Sequence, residues 1–337
     1  MTTLSSNKVN VVVTGGNGMV GKCIQDMKNT YPNANFTFLN RSLQNEHSLD
    51  LTDRNAVLHY FKHHAFNYII HLAADVGGLF KNLKQNTSIF SNNICINENI
   101  LEACMQYNIH RGIFILSSCI FPCNPSVFPM TENMVHESPP HFSNQGYAYA
   151  KRMLHIQCQQ FNKDFNTQFI CLVPVNLYGP YDNFRPSESH LIPGLIQRFH
   201  ETKHSVSSSS SSSSNSKKQY HAYGTGKPLR QLLYSPDFAK IICDILLTKP
   251  NIQQETIICC SDIEYSICDI VHTLSDTMHI SQDSLFWDTE KSDGCMKKTV
   301  SNIHFKTIFP NFEFTDIETG LQKTYQWYLH NQETLRK

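Results

Sequence analysis

A β-branched run, a glycine-rich turn and a helical stretch follow one another near the start of the chain. Lys8–Thr14 is rich in valine and predicts a buried strand. Gly15, Gly18 and Gly21 then recur at every third position, just before a predicted helix at Lys22–Met27. Such glycines permit a tight turn and let the backbone approach a pyrophosphate at a helix N-terminus, where free N–H groups favour an anion. The order predicts a dinucleotide-binding turn, although a plain glycine-rich turn would have the same residues.

The chain continues as an alternation of strands and helices, which predicts an α/β fold with a doubly wound parallel sheet of the Rossmann type. The predicted elements are strands at Asn35–Leu39, Tyr68–Ala74, Gly112–Leu116, Thr167–Val173 and Tyr220–Tyr223, and helices at Arg54–His63, Asn92–Tyr107, Leu191–His200 and Asp316–Asn331, with a helix from Tyr147. Asp53 is placed to cap the first of these helices. Phe286–Lys298 is rich in charge and predicts a loop.

The second strand ends in Asn40-Arg41, a pair that bears on the choice of dinucleotide. A ribose with a free 2′-hydroxyl usually meets an acidic residue at this position, whereas a 2′-phosphate meets arginine. Neither residue is acidic, and Arg41 is present. The pair therefore favours NADPH over NADH, although surface arginines are common. Asp50 could reach an adenine amino group or simply lie beside the helix cap.

Tyr147 precedes Lys151 by four residues at the head of a predicted helix, so the two side chains share one helical face. A phenol with a pKa of about 10 is a poor proton donor or base at neutral pH, and an adjacent ammonium favours the phenolate. The pair has the chemistry that is needed to protonate an alkoxide formed at a carbonyl by hydride transfer. The same spacing occurs by chance, with a half-buried tyrosine beside a solvated lysine.

Polar residues follow one predicted strand, and small residues follow another. Ser117, Ser118 and Cys119 come directly after Gly112–Leu116, and Val76–Gly78 follow the preceding strand. Ligands of an open α/β sheet bind at the carboxyl ends of its strands, so we expect Ser117 and Cys119 in the site. An isolated cysteine after a strand is more often structural, and the prediction for Cys119 depends on its neighbours.

Composition disfavours several kinds of partner. Lys plus Arg and Asp plus Glu number 28 each, so the formal net charge is zero and nothing favours nucleic acid or an anionic membrane. No apolar run is long enough to span a bilayer, and no signal peptide is evident. The twelve cysteines are scattered without zinc-ligand spacing, which predicts free thiols, no metal site and a cytoplasmic location. The serine run Ser207–Ser214 predicts a disordered loop over 205–218 with no assigned role.

Taken together, these motifs resemble the extended short-chain dehydrogenase/reductase family. Within it, the chain is similar to the branch that converts GDP-4-dehydro-6-deoxy-D-mannose to GDP-L-fucose by 3,5-epimerisation and 4-reduction. The resemblance runs from about residue 8 to the C-terminus, except for the serine run. It rests on the segments Gly15–Gly21, Leu72–Ala74, Val76–Leu79, Ser117–Pro122, Tyr147–Lys151, Asn176–Phe184, Ser189–His190, Tyr223–Gly226 with Arg230, and Lys291–Gly294.

The resemblance implies a domain organisation. An N-terminal Rossmann domain would hold NADP(H) and a smaller C-terminal α/β domain would hold the GDP-sugar, in a homodimer. The Rossmann domain would comprise residues 8–180 and a later segment near 231–260. The substrate domain would comprise 181–230 and 261–337.

The resemblance also implies roles for individual residues. Ser117, Tyr147 and Lys151 would form the reductase triad, and Cys119 and His190 the epimerisation base and acid. The implied cofactor contacts are Gly15, Gly16, Asn17, Gly18, Met19, Val20, Gly21, Arg41, Asp50, Leu51, Leu116, Ser117, Lys151, Pro174, Val175, Asn176, Leu177 and His190. The implied substrate contacts are Arg198, Tyr223, Arg230, Asp293 and Lys298. Asn17 stands where some members carry arginine, so the 2′-phosphate would depend more on Arg41, and Tyr223 replaces the more usual tryptophan.

The chemistry of a C4 ketone agrees with these roles. The ketone acidifies the protons on C3 and C5, and inverting each centre needs a base on one face and an acid on the other. A thiolate at Cys119 and a histidinium at His190 would serve. The thiol pKa, normally about 8.5, would have to be lowered. Ser117 and Tyr147 could donate to the C4 oxygen, and arginine forks suit a pyrophosphate.

Two other interpretations stay open at this stage. A nucleotide-sugar 4-epimerase or 4,6-dehydratase on the same fold recycles a tightly held NAD, which calls for an acidic residue after the second strand, and has no use for a Cys119–His190 pair. A non-catalytic NADPH-binding sensor or scaffold would not need the triad, yet Ser117, Tyr147 and Lys151 are all present.

Overall fold

The computed structural model describes residues 8–41, 47–186, 188–205, 218–252 and 255–335. The predicted disordered loop at 205–218 lies almost wholly outside the described residues. The strands are β1 (Val9–Thr14), β2 (Ala34–Leu39), β3 (Tyr68–His71), β4 (Arg111–Ile115), β5 (Gln168–Pro174), β6 (Asn176–Tyr178), β7 (Tyr220–Tyr223), β8 (Leu229–Arg230), β9 (Leu232–Tyr234), β10 (Thr256–Cys259), β11 (Tyr265–Ser266) and β12 (Leu285–Asp288). The α-helices are α1 (Met19–Met27), α2 (Arg54–Lys62), α3 (Leu79–Gln106), α4 (Gln145–Phe165), α5 (Leu191–His204), α6 (Ser235–Leu247), α7 (Ile267–Thr277), α8 (Ile303–Ile308) and α9 (Ile317–His330).

Six parallel strands form the central sheet in the order β10-β5-β4-β3-β1-β2. Val11 of β1 lies opposite Phe36 of β2 on one side and Tyr68 of β3 on the other. Val11, Val12 and Val13 are completely buried, as expected for a strand covered on both faces. The predicted α/β fold with a Rossmann-like parallel sheet is therefore confirmed. Because β1 lies between β2 and β3, the strand order reverses there, and ligands of such sheets bind at this switch point.

The buried apolar side chains form two clusters. The first surrounds the central sheet and includes Ile24 of α1, Ile100 of α3, Leu154 of α4 and Ile241 of α6. The second joins α5, α7 and α9, with members such as Leu195, Ile270 and Leu321. Val300, Phe305 and Phe309 pack in the first cluster, although they lie in a range that the sequence assigns to the substrate domain. The predicted domain boundaries stay predictions.

Two elements differ from the sequence prediction. Helix α3 begins at Leu79 rather than Asn92, with a non-helical residue at Gln85. Its first turns are polar, and Asn82 stabilises them by donating to the carbonyl oxygens of Gly77 (2.6 Å) and Gly78 (3.1 Å). The predicted loop at Phe286–Lys298 is wrong at its start, because residues 286–288 belong to β12, which pairs with β7. That pairing joins segments far apart in sequence, so local composition does not reveal it.

Candidate active site

The glycine turn after β1 leaves no room for side chains. Gly15 has φ 71°, in the left-handed region, and a Cβ added there would lie 2.9 Å from the backbone nitrogen of Ala73 on the next strand. A Cβ at Gly21 would lie 2.6 Å from the carbonyl oxygens of both Gly15 and Gly16. Gly18 donates its N–H to Gly15 (2.9 Å), and α1 begins at the next residue. The turn therefore brings bare backbone and a helix N-terminus to the switch point of the sheet, which is the cradle that a pyrophosphate needs.

The end of β2 fits a dinucleotide with a 2′-phosphate. Asn40 is buried, and within the described residues its Oδ1 atom has no hydrogen-bond partner. This acceptor lies 3.2 Å from the position that a Cβ on Gly16 would occupy, beside the glycine turn. A ribose hydroxyl at this place could satisfy it. Exposed Arg41 follows, and neither Asn40 nor Arg41 is a carboxylate, which suits a 2′-phosphate better than a free 2′-hydroxyl.

Asp50 and Leu51 lie on the segment that leads to α2. Asp50 Oδ1 accepts hydrogen bonds from the Thr52 backbone (3.0 Å) and hydroxyl (2.8 Å), and these bonds lower the pKa of its carboxyl, with a smaller effect of Arg41. Leu51 is buried, and its carbonyl accepts from Asn99 (2.9 Å). The helix begins as predicted, because the Asp53 side chain accepts from the backbone N–H of Ala56 (3.0 Å).

The residues predicted to flank the nicotinamide lie at the ends of two neighbouring strands. Leu116 extends β4 by donating its N–H to Leu172 (2.8 Å). Pro174 ends β5, Val175 is buried, and the chain enters β6 at Asn176. The Asn176 side chain donates to the carbonyl of Gln231 (2.9 Å), which fixes this segment against β9.

Cys119 lies in a short 3₁₀ turn, Ser118–Ile120, immediately after β4. The Ser117 hydroxyl oxygen accepts a hydrogen bond from the backbone N–H of Cys119 (3.3 Å) and caps this turn. Burial raises the pKa of the Cys119 thiol, although a hydrogen bond with Ser117 and the charges of Lys298 and Lys151 oppose the rise. The expected lowering of this pKa is therefore not observed. The same positive charges would nevertheless stabilise a thiolate once it formed.

Tyr147 and Lys151 share a face of α4, as the spacing predicts. Lys151 is almost completely buried, and its Nζ donates to the carbonyl of Ile115 at the end of β4 (2.7 Å). Burial lowers the pKa of Lys151 to about 8 despite the opposing effect of Cys119. Burial also raises the pKa of Tyr147, and a negative charge on Cys119 adds to the rise. The sequence predicts a lowered phenol pKa, but the net pKa is raised, because desolvation of Tyr147 outweighs the effect of an ammonium that bonds to the strand.

A buried polar chain that the sequence did not reveal supports the strand ends. His71 Nδ1 lies 2.8 Å from the Thr14 hydroxyl, and His71 Nε2 lies 3.1 Å from Asn97 Oδ1. Thr14 also accepts the N–H of Ala73 (3.1 Å). Burial, followed by the charge of Lys151, lowers the pKa of His71 to about 3, so the imidazole is neutral. These hydrogen bonds fix the ends of β1 and β3 on either side of the glycine turn. In the sequence, the sign of these hydrogen bonds is a single polar residue, His71, in the apolar strand β3.

His190 precedes α5 in an extended conformation and exposes its ring. The segment before it contacts the start of α3, since Gly78 donates its N–H to Glu188 (3.2 Å). Within the described ranges, the His190 ring makes no hydrogen bond. Surrounding protein lowers the pKa of His190, which leaves the imidazole neutral at pH 7. The expected histidinium is thus a minor form.

Arg198 and Tyr223 form one unit among the predicted substrate contacts. The guanidinium carbon of Arg198 lies 3.9 Å from the centre of the Tyr223 ring, and Nη1 donates to the carbonyl of His221 (2.8 Å). Tyr223 is 47% exposed. One face of the ring is therefore covered by arginine, and the other is free to stack on a base.

Arg230 and Asp293 form a second unit. Asp293 accepts hydrogen bonds from the Thr225 backbone (2.6 Å) and hydroxyl (2.8 Å), which closes the loop after β7. Burial lowers the pKa of Arg230, and the Asp293 charge opposes this shift. Lys298 differs from the others, because its charge acts on Cys119 and His141 rather than on this unit. Lys298 therefore lies near enough to Cys119 for its charge to act on the thiol.

Two cavities lie away from the candidate active site. One of about 450 Å³ is at the amino edge of the sheet, near Tyr68 and Arg111, and one of about 400 Å³ lies between α3 and α4. Across the described residues, no group of three or more His, Cys, Asp or Glu side chains is arranged to hold a metal ion. No helix in the same residues has the length and apolar character to cross a membrane.

Comparisons with known proteins agree with this geometry. The sequence model of the NAD dependent epimerase/dehydratase family matches residues 11–260. The GDP-L-fucose synthase of Dictyostelium discoideum is 36% identical over 99% of this chain and 100% of its own length. The probable GDP-L-fucose synthase of Drosophila melanogaster is 35% identical over 97% of this chain and 99% of its own. A crystal structure of a GDP-L-fucose synthetase from Naegleria fowleri bound to NADP matches with a TM-score of 0.85 and 36% identity, covering 98% of this chain and 96% of the other.

Proposed function

Because the chain belongs to the NAD-dependent epimerase/dehydratase family, we propose that it performs the reaction named in its relatives. It converts GDP-4-dehydro-6-deoxy-D-mannose to GDP-L-fucose with NADPH, in de novo GDP-L-fucose biosynthesis. The observation that carries the proposal is the placement of Ser117, Cys119, Tyr147 and Lys151 together at the end of β4. This set contains a thiol for proton abstraction and a tyrosine–lysine pair for carbonyl reduction.

The chain's residues hold the two ligands from opposite sides. The Gly15–Gly21 turn would hold the NADPH pyrophosphate, Arg41 would bind the 2′-phosphate, and Lys151 and Pro174–Leu177 would lie beside the nicotinamide. The cofactor supplies a hydride to C4 of the sugar. On the other side, Arg198 and Arg230 bind the GDP pyrophosphate, for which the guanidinium fork is suited. Tyr223 stacks its free face on the guanine.

Epimerisation uses Cys119 and His190. The Cys119 sulfur, as thiolate, takes the proton from C3 or C5, and the C–H electron pair moves onto the C4 oxygen as an enolate. Hydrogen bonds from Ser117 and Tyr147 stabilise that oxygen, and such donors contribute about 3 to 4 kcal/mol each. His190 then gives a proton to the opposite face of the carbon. The sulfur releases its proton to solvent, and the imidazole regains one.

Reduction uses the same oxygen contacts. When hydride reaches C4, negative charge develops on the C4 oxygen, and Tyr147 donates its proton there. The high phenol pKa that burial produces keeps this proton on Tyr147 until the alkoxide forms. Lys151 supplies a buried positive charge that stabilises the resulting phenolate.

We further propose that the protein is a cytoplasmic homodimer. Helices α3 and α4 expose apolar side chains, including Phe90, Met153, Ile156 and Phe165. The cavity of about 400 Å³ between these helices is lined partly by Leu101 and Phe161. A second copy of the chain would cover this face. All twelve cysteines are free thiols, which supports a reducing compartment.

The proposed reaction is tested by incubating the protein with NADPH and GDP-4-dehydro-6-deoxy-D-mannose and following NADPH absorbance. We expect oxidation of one NADPH for each GDP-L-fucose formed, with the sugar identified by chromatography. GDP-mannose, which lacks the ketone, is the control and should give no oxidation. Absence of turnover by a protein that demonstrably binds NADPH would reject the proposal.

A further inference from the structure

Arg152, the residue after Lys151 on α4, is a buried cation that connects two loops. Its Nε atom donates to the carbonyl of Ile120 (2.7 Å), and its Nη2 atom donates to the carbonyl of Ser138 (2.8 Å). The side chain is 5% exposed. Ile120 ends the turn that carries Cys119, and Ser138 lies on the segment that leads to the start of α4. One guanidinium therefore fixes the Cys119 turn to the helix that carries Tyr147.

The Cys119 backbone is restrained on both sides. Before it, Ser117 accepts the Cys119 N–H (3.3 Å) and pairs its own carbonyl with the N–H of Ile120 (3.1 Å). After it, the Ile120 carbonyl is held by Arg152. These bonds determine where the sulfur lies relative to the sugar, because the turn cannot rotate without breaking one of them.

The charge of Arg152 is not neutralised by a carboxylate. Throughout the described ranges, no ion pair includes this residue, and both hydrogen-bond acceptors are neutral carbonyls. Its guanidinium carbon lies 5.6 Å from the Tyr149 ring centre. Burial lowers the pKa of Arg152, but a guanidinium stays charged at any physiological pH. A buried cation without a counter-ion is costly and favours an anion nearby. Arg152 lies beside the Cys119 turn through its bond to Ile120, and the charges of Lys298 and Lys151 also act on the thiol.

We propose that Arg152 is a positioning residue for Cys119: it holds the Cys119 turn through the Ile120 carbonyl and places a positive charge beside that turn. The inference rests on the proposed role of Cys119 as epimerisation base. Lys151 serves the reduction beside Tyr147, and its charge also acts on Cys119, but of the two residues Arg152 is the one bonded to the Cys119 turn. Neither residue can replace the other, since Lys151 bonds to the carbonyl of Ile115 and Arg152 bonds to those of Ile120 and Ser138.

The first test needs no substrate. Alkylation of Cys119 by iodoacetamide is measured against pH, with the modified peptide quantified by mass spectrometry. We expect Arg152→Met to react about tenfold more slowly than wild type at neutral pH and to move the midpoint upward by about one pH unit. Arg152→Lys, which retains the charge, should restore most of the reactivity.

Arg111→Met is the matched control. Arg111 also donates to backbone carbonyls, including Ile245 (3.1 Å) and Lys249 (3.0 Å), but it lies at the opposite edge of the sheet. We expect this variant to lose stability and to keep the wild-type alkylation profile. A profile of folded Arg152→Met that matches Arg111→Met would overturn the inference. Alkylation reports on Arg152 even if the proposed reaction fails, so the two failures are distinguishable.

The second test separates the two half-reactions. Exchange of the C3 and C5 protons into D₂O should fall about tenfold or more in Arg152→Met, while NADPH affinity stays at the wild-type value. If that variant does not fold, Arg152→Lys decides the question, because lysine keeps the charge but cannot make both hydrogen bonds. We then expect several-fold slower exchange, and wild-type exchange in folded Arg152→Lys would overturn the positioning role.

Discussion

The Nζ atom of Lys151 lies 5.9 Å from the centre of the Tyr147 ring. Its hydrogen bond goes to the carbonyl at the end of β4 instead of the phenol. The ammonium therefore acts on Tyr147 through space, and its effect is greatest when the phenol has lost its proton. The phenol is the group that holds the proton at rest, and the lysine is the group that stabilises the charge after transfer.

Tyr147→Phe removes the proton donor and leaves the ring. We expect NADPH oxidation with the keto-sugar to fall about 100-fold or more, because general acid catalysis at the C4 oxygen is lost. NADPH binding, followed by fluorescence, should remain close to wild type, since the phenyl ring still packs on α4. A variant that retained most of the rate would remove Tyr147 from the proton transfer.

The pKa of Lys151 predicts how reduction depends on pH. Burial lowers that pKa to about 8, so the side chain is charged below this pH and neutral above it. If the charge stabilises the Tyr147 phenolate, single-turnover NADPH oxidation should fall as the pH rises through about 8. Lys151→Arg keeps its charge throughout this range, so its slower reaction should lack the alkaline fall. The same fall in both proteins would assign the titration to another group.

Exchange of the C3 and C5 protons should have a broader pH profile than NADPH oxidation. Exchange requires a Cys119 thiolate together with a His190 histidinium, yet burial raises the pKa of the thiol and the surrounding protein lowers that of the imidazole. Between the two pKa values, a rise in pH increases the thiolate fraction and decreases the histidinium fraction by the same factor, so their product stays constant. The ordinary values are about 6.5 for His and about 8.5 for Cys, so we expect C3 and C5 exchange to be level over this whole range and to fall only beyond it.

Cys119→Ser is the check on that profile. The variant should fold and bind NADPH, because the backbone bonds of the turn do not involve the sulfur. Exchange measured in D₂O without NADPH should be mostly lost, since a serine hydroxyl is a far weaker acid than a thiol. Unchanged exchange would show that another group abstracts the proton.

The features that sequence predicted are those encoded locally. The spacing of the glycines, together with the strand before them and the helix after them, predicts the Gly15–Gly21 turn. In the structure, backbone atoms pack closely against Gly15 and Gly21, as such a turn requires. The Tyr147–Lys151 pair follows from helical periodicity alone. Strand β12 was missed because its partner, β7, lies far away in sequence. Pairing of that kind depends on the assembled fold.

The electrostatics of the site could not be predicted in the same way. The direction of a pKa shift depends on how much protein surrounds a group, and that sum includes residues from the whole chain. The thiol of Cys119 and the phenol of Tyr147 were expected to be acidified by nearby cations, but desolvation is the larger effect at both. Arg152 was overlooked because an arginine on a helix is usually exposed.

The last prediction concerns stability and buried His155, which lies against exposed His136. His136 Nε2 lies 3.0 Å from His155 Nδ1, and His155 Nε2 lies 2.8 Å from the Thr256 hydroxyl. Burial, with a smaller effect of the His136 charge, lowers the pKa of His155 to about 4.

This shift links folding to pH with a definite sign. Between pH 6.5 and about 4, the unfolded chain binds a proton at His155 and the folded chain does not. The free energy of unfolding should therefore decrease on acidification through this window, by up to about 3 kcal/mol from this group. His155→Gln cannot titrate, so its stability at neutral pH should be lower but its acid-side slope smaller by that amount. Urea unfolding at pH 7.5 and pH 4.5 measures both slopes, with exposed His59→Gln as the control that keeps the wild-type slope. Equal slopes in His155→Gln and wild type would show that His155 titrates alike in the folded and unfolded chains.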